Sequence, residues 1–489
     1  MKIRSKIVSA LLLCSMLLSM AACSSSGSTD AANDTAANDT TAQAEETTVN
    51  PFAEVGLEEK NWDGREFRVV SRDSSYVAWE SFDVFAESET GEPINDSVYK
   101  RNSIVEEKYG IVVKENKQPD LYNTISKMIT AGENTMDAAV LRGTDGSNLA
   151  TSKMLNDLYK VPNLDLEQPW WDQNAVKDFT INGKLFLGVS DLLYSDKDGS
   201  WVYTFNKNLA KNIGIEFPYQ MAKDGTWTYE KFADLAKQAS KDLNGDGVMN
   251  GEFDQYGITT EAYDTYAAFF YSGAKMFDST KTGYPEYVLY SDRNVTAFDK
   301  YFELLVSQKD FYYSVGTKER EAFLDGRSLF RGTTLNAIRN HYREMEDDFG
   351  IVVAPKYDEA QENYAHIVSI GTSASVIVVP ITAPDLDFTG YALQAISYES
   401  TDTLREAYLN VAFNGKYLRD EDSIEMLDLC IDSRVYDFSI IYTGWGGLFT
   451  AFYNVTADNK LDIASLHASV EASVNASIQQ TVDLYKAIN

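Results

Sequence analysis

Short runs of apolar and β-branched residues alternate along this chain with longer segments of helical period. FRVV (67–70), IVVK (111–114), AAVLR (138–142), LFLGV (185–189), WVYTF (201–205), IVVAP (351–355) and SVIVV (375–379) read as strands. After Trp227, Thr228 is placed to cap a helix in which Phe232, Leu235, Ala236 and Ala239 share one face. The same period predicts helices over 94–108, 121–131, 294–307, 401–413 and 464–487. Strands that alternate with helices, with no internal repeat, predict an α/β architecture.

The first 55 residues break this pattern. MKIRSK is basic, IVSALLLCSMLLSMAA is apolar, and Cys23 follows small residues. This reads as a secretory signal over 1–22, too short and wrongly flanked for a lasting membrane span. Its ending, MAAC, resembles a bacterial lipobox, which implies a lipidated (palmitate-bearing) Cys23; Met20 departs from the usual leucine. Residues 23–55 are polar and of low complexity, and are expected to be a tether that cannot bury enough surface to fold. With Cys14 in the signal and Cys23 lipidated, Cys430 is the one thiol left. An intramolecular disulfide is then impossible, and IEMLDLCID predicts Cys430 to be buried on a helix.

Composition narrows the partners. The net charge is −31, and removal of Lys2, Arg4 and Lys6 with the signal takes it to −34. Phosphates would be repelled, so nucleic acid is a poor partner. Hydrophobic residues make up 44% of the chain, enough for packed cores in two or three domain-sized units.

The run from NGKLFLGV through WVYTFNKNLAKNIGIEFP to WTYEKFADLAKQAS resembles the extracellular solute-binding proteins of ABC importers, in the branch of maltose-binding protein. Asn182–Gly183–Lys184, Phe205–Asn206–Lys207–Asn208–Leu209, Gly214–Ile215 and Trp227–Thr228–Tyr229–Glu230 carry the resemblance. DDFGIVVAPKYDEAQ (347–361) and SIGTSASVIVVP (369–380) extend it. The resemblance implies a two-lobe, periplasmic-binding-protein-like α/β fold with hinge strands and a central ligand cleft. Lobe one would comprise 56–195 plus 354–420, and lobe two 196–353 plus 421–489. It further implies a monomer that binds a small solute, serves permease subunits, touches the membrane through its lipid alone and carries out no catalysis. The place would be the outer face of a cell membrane, and the acidic, disulfide-free chain agrees with a Gram-positive surface.

Two sets of residues carry candidate chemistry. KDLNGDGVMNGEFDQYGIT (241–259) places oxygen ligands at Asp242, Asn244 and Asp246, a turn-permitting Gly247 and the carbonyl of Val248, as a calcium loop does. The closing position holds Phe253, so Asp254 is the expected carboxylate, with Glu252 beside it. The ion (Ca2+) would be structural; the alternative is an acidic Asn-Gly/Asp-Gly turn without metal. For a sugar, aromatic faces and charged groups are wanted together. The loops that the resemblance places at the cleft offer Arg72, Asp73, Tyr76, Arg142, Asp145, Tyr263, Tyr266, Arg331 and Trp445. Trp201 and Tyr203 alternate along one strand, so both face either the cleft or a buried core.

The abundance of aromatics favours a carbohydrate, in particular an oligosaccharide. A polar or anionic solute held by Arg72, Arg142 and Arg331 is the alternative, as is a surface sensor or adhesion protein that keeps the fold. A glycosidase is disfavoured: 74 acidic residues make carboxylate pairs uninformative, His341, His366 and His467 are isolated, and neither HExxH nor GxSxG occurs.

Overall fold

The computed structural model describes residues 52–306, 308–314, 317–410, 413, 418, 420–442, 445–457 and 462–488. The lipobox, Cys23 and most of the expected tether lie outside them. The packed chain begins inside the expected tether, because Phe52, Val55 and Leu57 are buried. Phe52 meets Tyr109 edge to face at 5.4 Å, and Gln394 donates to the Val55 carbonyl.

Two sheets organise the rest. In the first, β1 (Arg65–Arg72) lies parallel to β2 (Ile111–Gln118) in the register Arg65 to Ile111. On its other side β1 pairs with β3 (Ala138–Arg142), and the late strand β12 (Ser375–Val378) closes the order β12-β3-β1-β2. In the second, the order is β10-β4-β9-β5-β8, from β4 (Trp201–Asn206), β5 (Tyr256–Glu261), β8 (Phe311–Ser314), β9 (Ser328–Thr334) and β10 (Phe349–Val352). Strands β5, β8 and β9 are parallel, while β4 runs antiparallel to β9 and β10. Two short pairs complete the strands, β6 (Phe277–Asp278) with β7 (Glu286–Tyr287), and β11 (His366–Ile367) with β13 (Arg434–Val435).

The segments of helical period over 94–108, 121–131 and 464–487 are helices, while others, such as Leu386–Ser400, were not predicted. Pro93–Tyr109 opens on proline, whose missing N–H costs nothing there, and stops at Gly110 with φ 64°. Ile463–Lys486 buries Leu466, Val470, Val474, Ile478, Val482 and Tyr485 along one stripe. Cys430 is buried on Glu421–Asp432 as expected, and burial pushes its thiol pKa well up.

Two local expectations fail. Thr228 does not cap Tyr229–Ala239 with its hydroxyl; it is extended, and the Tyr229 N–H donates instead to the Lys356 carbonyl. LFLGV (185–189) is buried but forms no named strand, and only Gly188 bridges to Ile377. An apolar run signals burial, and pairing needs a free neighbouring edge as well.

Where the two sheets join, buried charges meet. Arg434 on β13 bonds Asp196 at 2.6 Å and Asp172 at 2.5 Å, and the Tyr436 hydroxyl also donates to Asp172 at 2.8 Å. His366, opposite on β11, accepts from the Ala354 N–H through Nε2, and burial holds its pKa at about 3. It therefore stays neutral at any physiological pH.

Candidate functional site

In open α/β sheets, loops at the carboxyl ends of parallel strands form the binding crevice. In the first sheet those ends carry Arg72 on β1 and Arg142 on β3. The antiparallel β12 begins at the same edge, because Ser375 pairs with Arg142. Four residues singled out in the sequence come together here. Arg142 holds Asp145 through two bonds, 3.0 and 3.1 Å, across the first turn of the helix Gly143–Thr151. The Tyr76 ring sits 5.5 Å from the Arg142 guanidinium and 5.8 Å from that of Arg72. Both lie within cation–π range. The Tyr76 hydroxyl accepts from the Leu121 N–H at 2.9 Å, which anchors the ring to the next loop.

The electrostatics differ between the two arginines. Arg142 is part-exposed; burial lowers its pKa, but the Asp145 bond and charge outweigh it and raise the value overall. Arg72 is fully buried and has no carboxylate bonded to it among the described residues. It donates to the Ser373 carbonyl and, at 2.5 Å, to Ser375 Oγ, while its Nε has no partner. Burial, aided by the Arg142 charge, lowers its pKa to about 10 against the pull of Asp83. It remains charged at neutral pH.

In the second sheet the corresponding ends are Glu261 on β5, Ser314 on β8 and Thr334 on β9. Trp201 starts β4 at this same edge, opposite Thr334. Glu261 is half-buried, and burial raises its carboxyl pKa against the attraction of Arg331. Tyr263 is 37% exposed, with its ring 4.9 Å from that of Tyr453. Glu261 was missed in the sequence, although an acid at the carboxyl end of a strand is the signal that could have found it.

One contact joins these edges: Asn336 Nδ2, just after β9, lies 3.4 Å from the Ala78 carbonyl, just after β1. Asn336 also donates to Asp198 at 3.2 Å, and Asp198 in turn receives Arg339 at 2.7 Å and the Tyr408 hydroxyl at 2.7 Å. Asp198 lies three residues before β4, so the segment leading into β4 is tied to the helix after β9 and to Tyr408.

The model of the bacterial extracellular solute-binding family matches residues 103–398. The chain belongs to that family. Solute-binding proteins of known structure share its two-lobe fold. One is a cyclo/maltodextrin-binding protein complexed with maltotetraose, 16% identical, with TM-score 0.57, covering 85% of this chain and 97% of its own. Another is an ABC substrate-binding protein from Listeria monocytogenes in complex with cycloalternan, 14% identical, with TM-score 0.51, covering 86% and 98%. A third is a sugar transporter from Rhizobium etli in an open conformation, 15% identical, with TM-score 0.54, covering 87% and 100%. No curated protein sequence matches. The family and fold class that the resemblance implied are thus met, and the family binds solutes rather than transforming them.

Within this solute-binding protein, several expected ligand contacts are core residues. Tyr203 is fully buried, and its hydroxyl donates to Asp264 at 3.2 Å. Tyr266 is buried with its hydroxyl 2.6 Å from Ser439 Oγ. Arg331 is buried, where it bonds Tyr342 and Glu319 at 3.1 and 3.3 Å. Trp201 is buried as well, for all its edge position. Trp445 stacks on Tyr442 at 4.5 Å and donates to Thr481 at 3.0 Å. The glycine after it is there for close packing: a Cβ on Gly446 would lie 2.4 Å from the Val474 nitrogen. Glycine beside tryptophan marked helix contact here, not an open loop.

The acidic loop folds on itself. Asp242 accepts from the N–H groups of Gly245 and Gly247 at 2.6 and 2.8 Å, Asn244 from that of Asp246, and Asp246 from that of Val248. Asp254, which the sequence offered for the closing position, accepts from Leu243 and Asn250 at 2.9 and 2.7 Å. These N–H bonds hold its pKa low, so it is charged. Among the described residues no three His, Cys, Asp or Glu side chains converge as a metal group. The donor set is nonetheless all oxygen, as a hard cation requires, and a cation here would draw on Asn244 and the Val248 carbonyl as well as the carboxylates.

Proposed function

We propose that this protein captures a carbohydrate, an oligosaccharide, between its two lobes and delivers it to an ABC permease, while a lipid on Cys23 tethers it outside the membrane. The observation that carries the reading is the Arg72–Tyr76–Arg142–Asp145 cluster at the carboxyl edge of the first sheet. It combines the Tyr76 ring, which suits sugar C–H groups, with the part-exposed Arg142 guanidinium, which suits hydroxyls, while the buried Arg72 and Asp145 support them. Glu261 and Tyr263 offer the same pairing at the edge of the second sheet. The fold neighbours complexed with maltotetraose and cycloalternan support the carbohydrate class. Among the described residues no helix is long and apolar enough to cross a membrane, so retention at a surface falls to the lipid. The loop 242–254 belongs to this proposal as a calcium staple remote from the binding chemistry.

The test is a thermal-shift screen of the protein against linear and cyclic gluco-oligosaccharides, with uronate oligosaccharides alongside. A ligand that binds only the folded state raises the melting temperature by mass action. A shift with neutral sugars, with no turnover, supports the reading. A shift with uronates alone favours an anionic ligand, for which the carboxylate-free Arg72 is the supporting observation. No shift with any sugar refutes the carbohydrate class.

A further inference from the structure

Residues 73–80 form a finger that leaves the end of β1 and returns to it. Its base is pinned by the Ser81 N–H to the Arg72 carbonyl at 3.1 Å, and by the Arg72 N–H to Ser81 Oγ at 3.3 Å. Glu80 is tied to Lys117 at 2.8 Å, and Asp73 accepts from the Ser75 N–H at 3.0 Å. The finger supplies Tyr76 to the arginine cluster and the Ala78 carbonyl to Asn336 beyond the second sheet. It thus spans from the edge of the first sheet to the helix that follows β9.

Two of its residues have no structural account. Val77 is 82% exposed, with φ 52° and ψ −117°, a conformation that a β-branched side chain rarely adopts. Strained backbone persists where the surroundings impose it, and such positions cluster at binding sites. Trp79 is half-buried. Among the described residues its ring pairs with no other aromatic, its Nε1 has no hydrogen-bond partner, and it is not part of the packing on the core. Large aromatics elsewhere in this chain do pack: Trp62, Trp171, Trp227 and Trp445 all join the core cluster.

We infer that the 73–80 finger is the specificity element of the site, with Trp79 as a stacking face for one sugar ring and the Trp79 N–H as donor to a ring hydroxyl. The inference rests on the carbohydrate reading above. An indole face covers the apolar side of a pyranose, and the free N–H fits the polar rim. The Val77 backbone holds the finger in the conformation that presents Trp79, so the ordering cost is met before the ligand arrives.

The test uses the full chain labelled with 5-fluorotryptophan, with the Trp79 resonance assigned by Trp79→Phe. The probes are maltotetraose, cellotetraose and xylotetraose. Saturation with whichever sugar raises the melting temperature is expected to shift the Trp79 resonance. Trp79→Ala should weaken that sugar about tenfold or more, and Trp79→Phe by less. Val77→Gly should weaken it too, through lost preorganisation, without lowering the melting temperature. A sugar that stabilises the protein but leaves the Trp79 resonance and the Trp79→Ala affinity unchanged overturns the inference and leaves the carbohydrate reading standing. If neither these three nor the cyclic gluco-oligosaccharides stabilise the protein, the inference falls together with the carbohydrate reading.

Discussion

Replacing Asp264 by asparagine should change how the stability of this protein depends on pH. Asp264 is fully buried in the first turn of the helix Ala262–Tyr271, beneath the edge that carries Glu261 and Tyr263. Its carboxyl accepts from Thr260 Oγ1 and from the hydroxyls of Tyr203 and Tyr271, at 3.2 and 3.4 Å for the tyrosines. Gly332 presses on it so closely that a Cβ there would lie 1.9 Å from a carboxyl oxygen. Burial outweighs these donors and the Arg331 charge, and pushes the pKa up to about 7. In the unfolded chain it is about 3.9. Because the native state binds the extra proton, the contribution is fullest below the unfolded value and is lost as pH rises through the folded one. About three pKa units amount to roughly 4 kcal/mol in all, of which about 3 kcal/mol is lost between pH 5 and pH 8. At roughly 2 cal/mol/K per residue, a unit of this length unfolds with an entropy near 0.9 kcal/mol/K, so the loss is about 3 °C in melting temperature. Asparagine has no proton to lose. In calorimetric scans across this pH range, the difference between Asp264→Asn and the parent should move by about 3 °C in favour of the variant. A gap that stays constant with pH would refute the reasoning.

Arg434→Met should strand the buried carboxylates of Asp172 and Asp196 and cost roughly 3–5 kcal/mol. Urea denaturation at neutral pH should show this deficit; an equally stable variant would show that the cluster is dispensable. Millimolar calcium should raise the melting temperature by about 3 °C if it reaches a hundred times the dissociation constant, and magnesium by less. Asp242→Ala should abolish that response, whereas a response that survives the substitution would place the ion elsewhere.

Much of this fold was legible from local pattern. Period-2 and period-3.6 hydrophobicity reports which residues a segment must bury, and that is a property of the segment alone. So β1, β2, β3, β4 and β12 and the helices Pro93–Tyr109, Leu121–Thr130 and Ile463–Lys486 lie close to their predicted bounds, whereas β10 shares only 351–352 with the predicted run and Leu386–Ser400 was not predicted. β8 and β9 were not anticipated, because FYYS and SLFRGTT carry polar residues in a buried sheet. Arg331 of β9 is buried because Tyr342 and Glu319, which lie outside the strand, bond it there, while β8 stays half-buried.

The site divides in the same way. The order of motifs along the chain determined the family and pointed to the loops after β1 and β3, since chain order reaches those loops directly. Sequence alone could not determine which side of a strand looks at solvent. Trp201 and Tyr203 alternate as a binding face would, yet packing against both surfaces of the second sheet buries them. Trp445 sat beside glycine, yet Gly446 is where the helix Ile463–Lys486 approaches closely. Glu261 and Trp79 drew no attention in the sequence, because no pattern distinguishes a half-exposed side chain from its buried neighbours. Only the tertiary structure, which decides what is left uncovered once the cores have closed, brings Arg72, Tyr76, Arg142 and Asp145 to one edge and leaves Trp79 without a partner among the described residues.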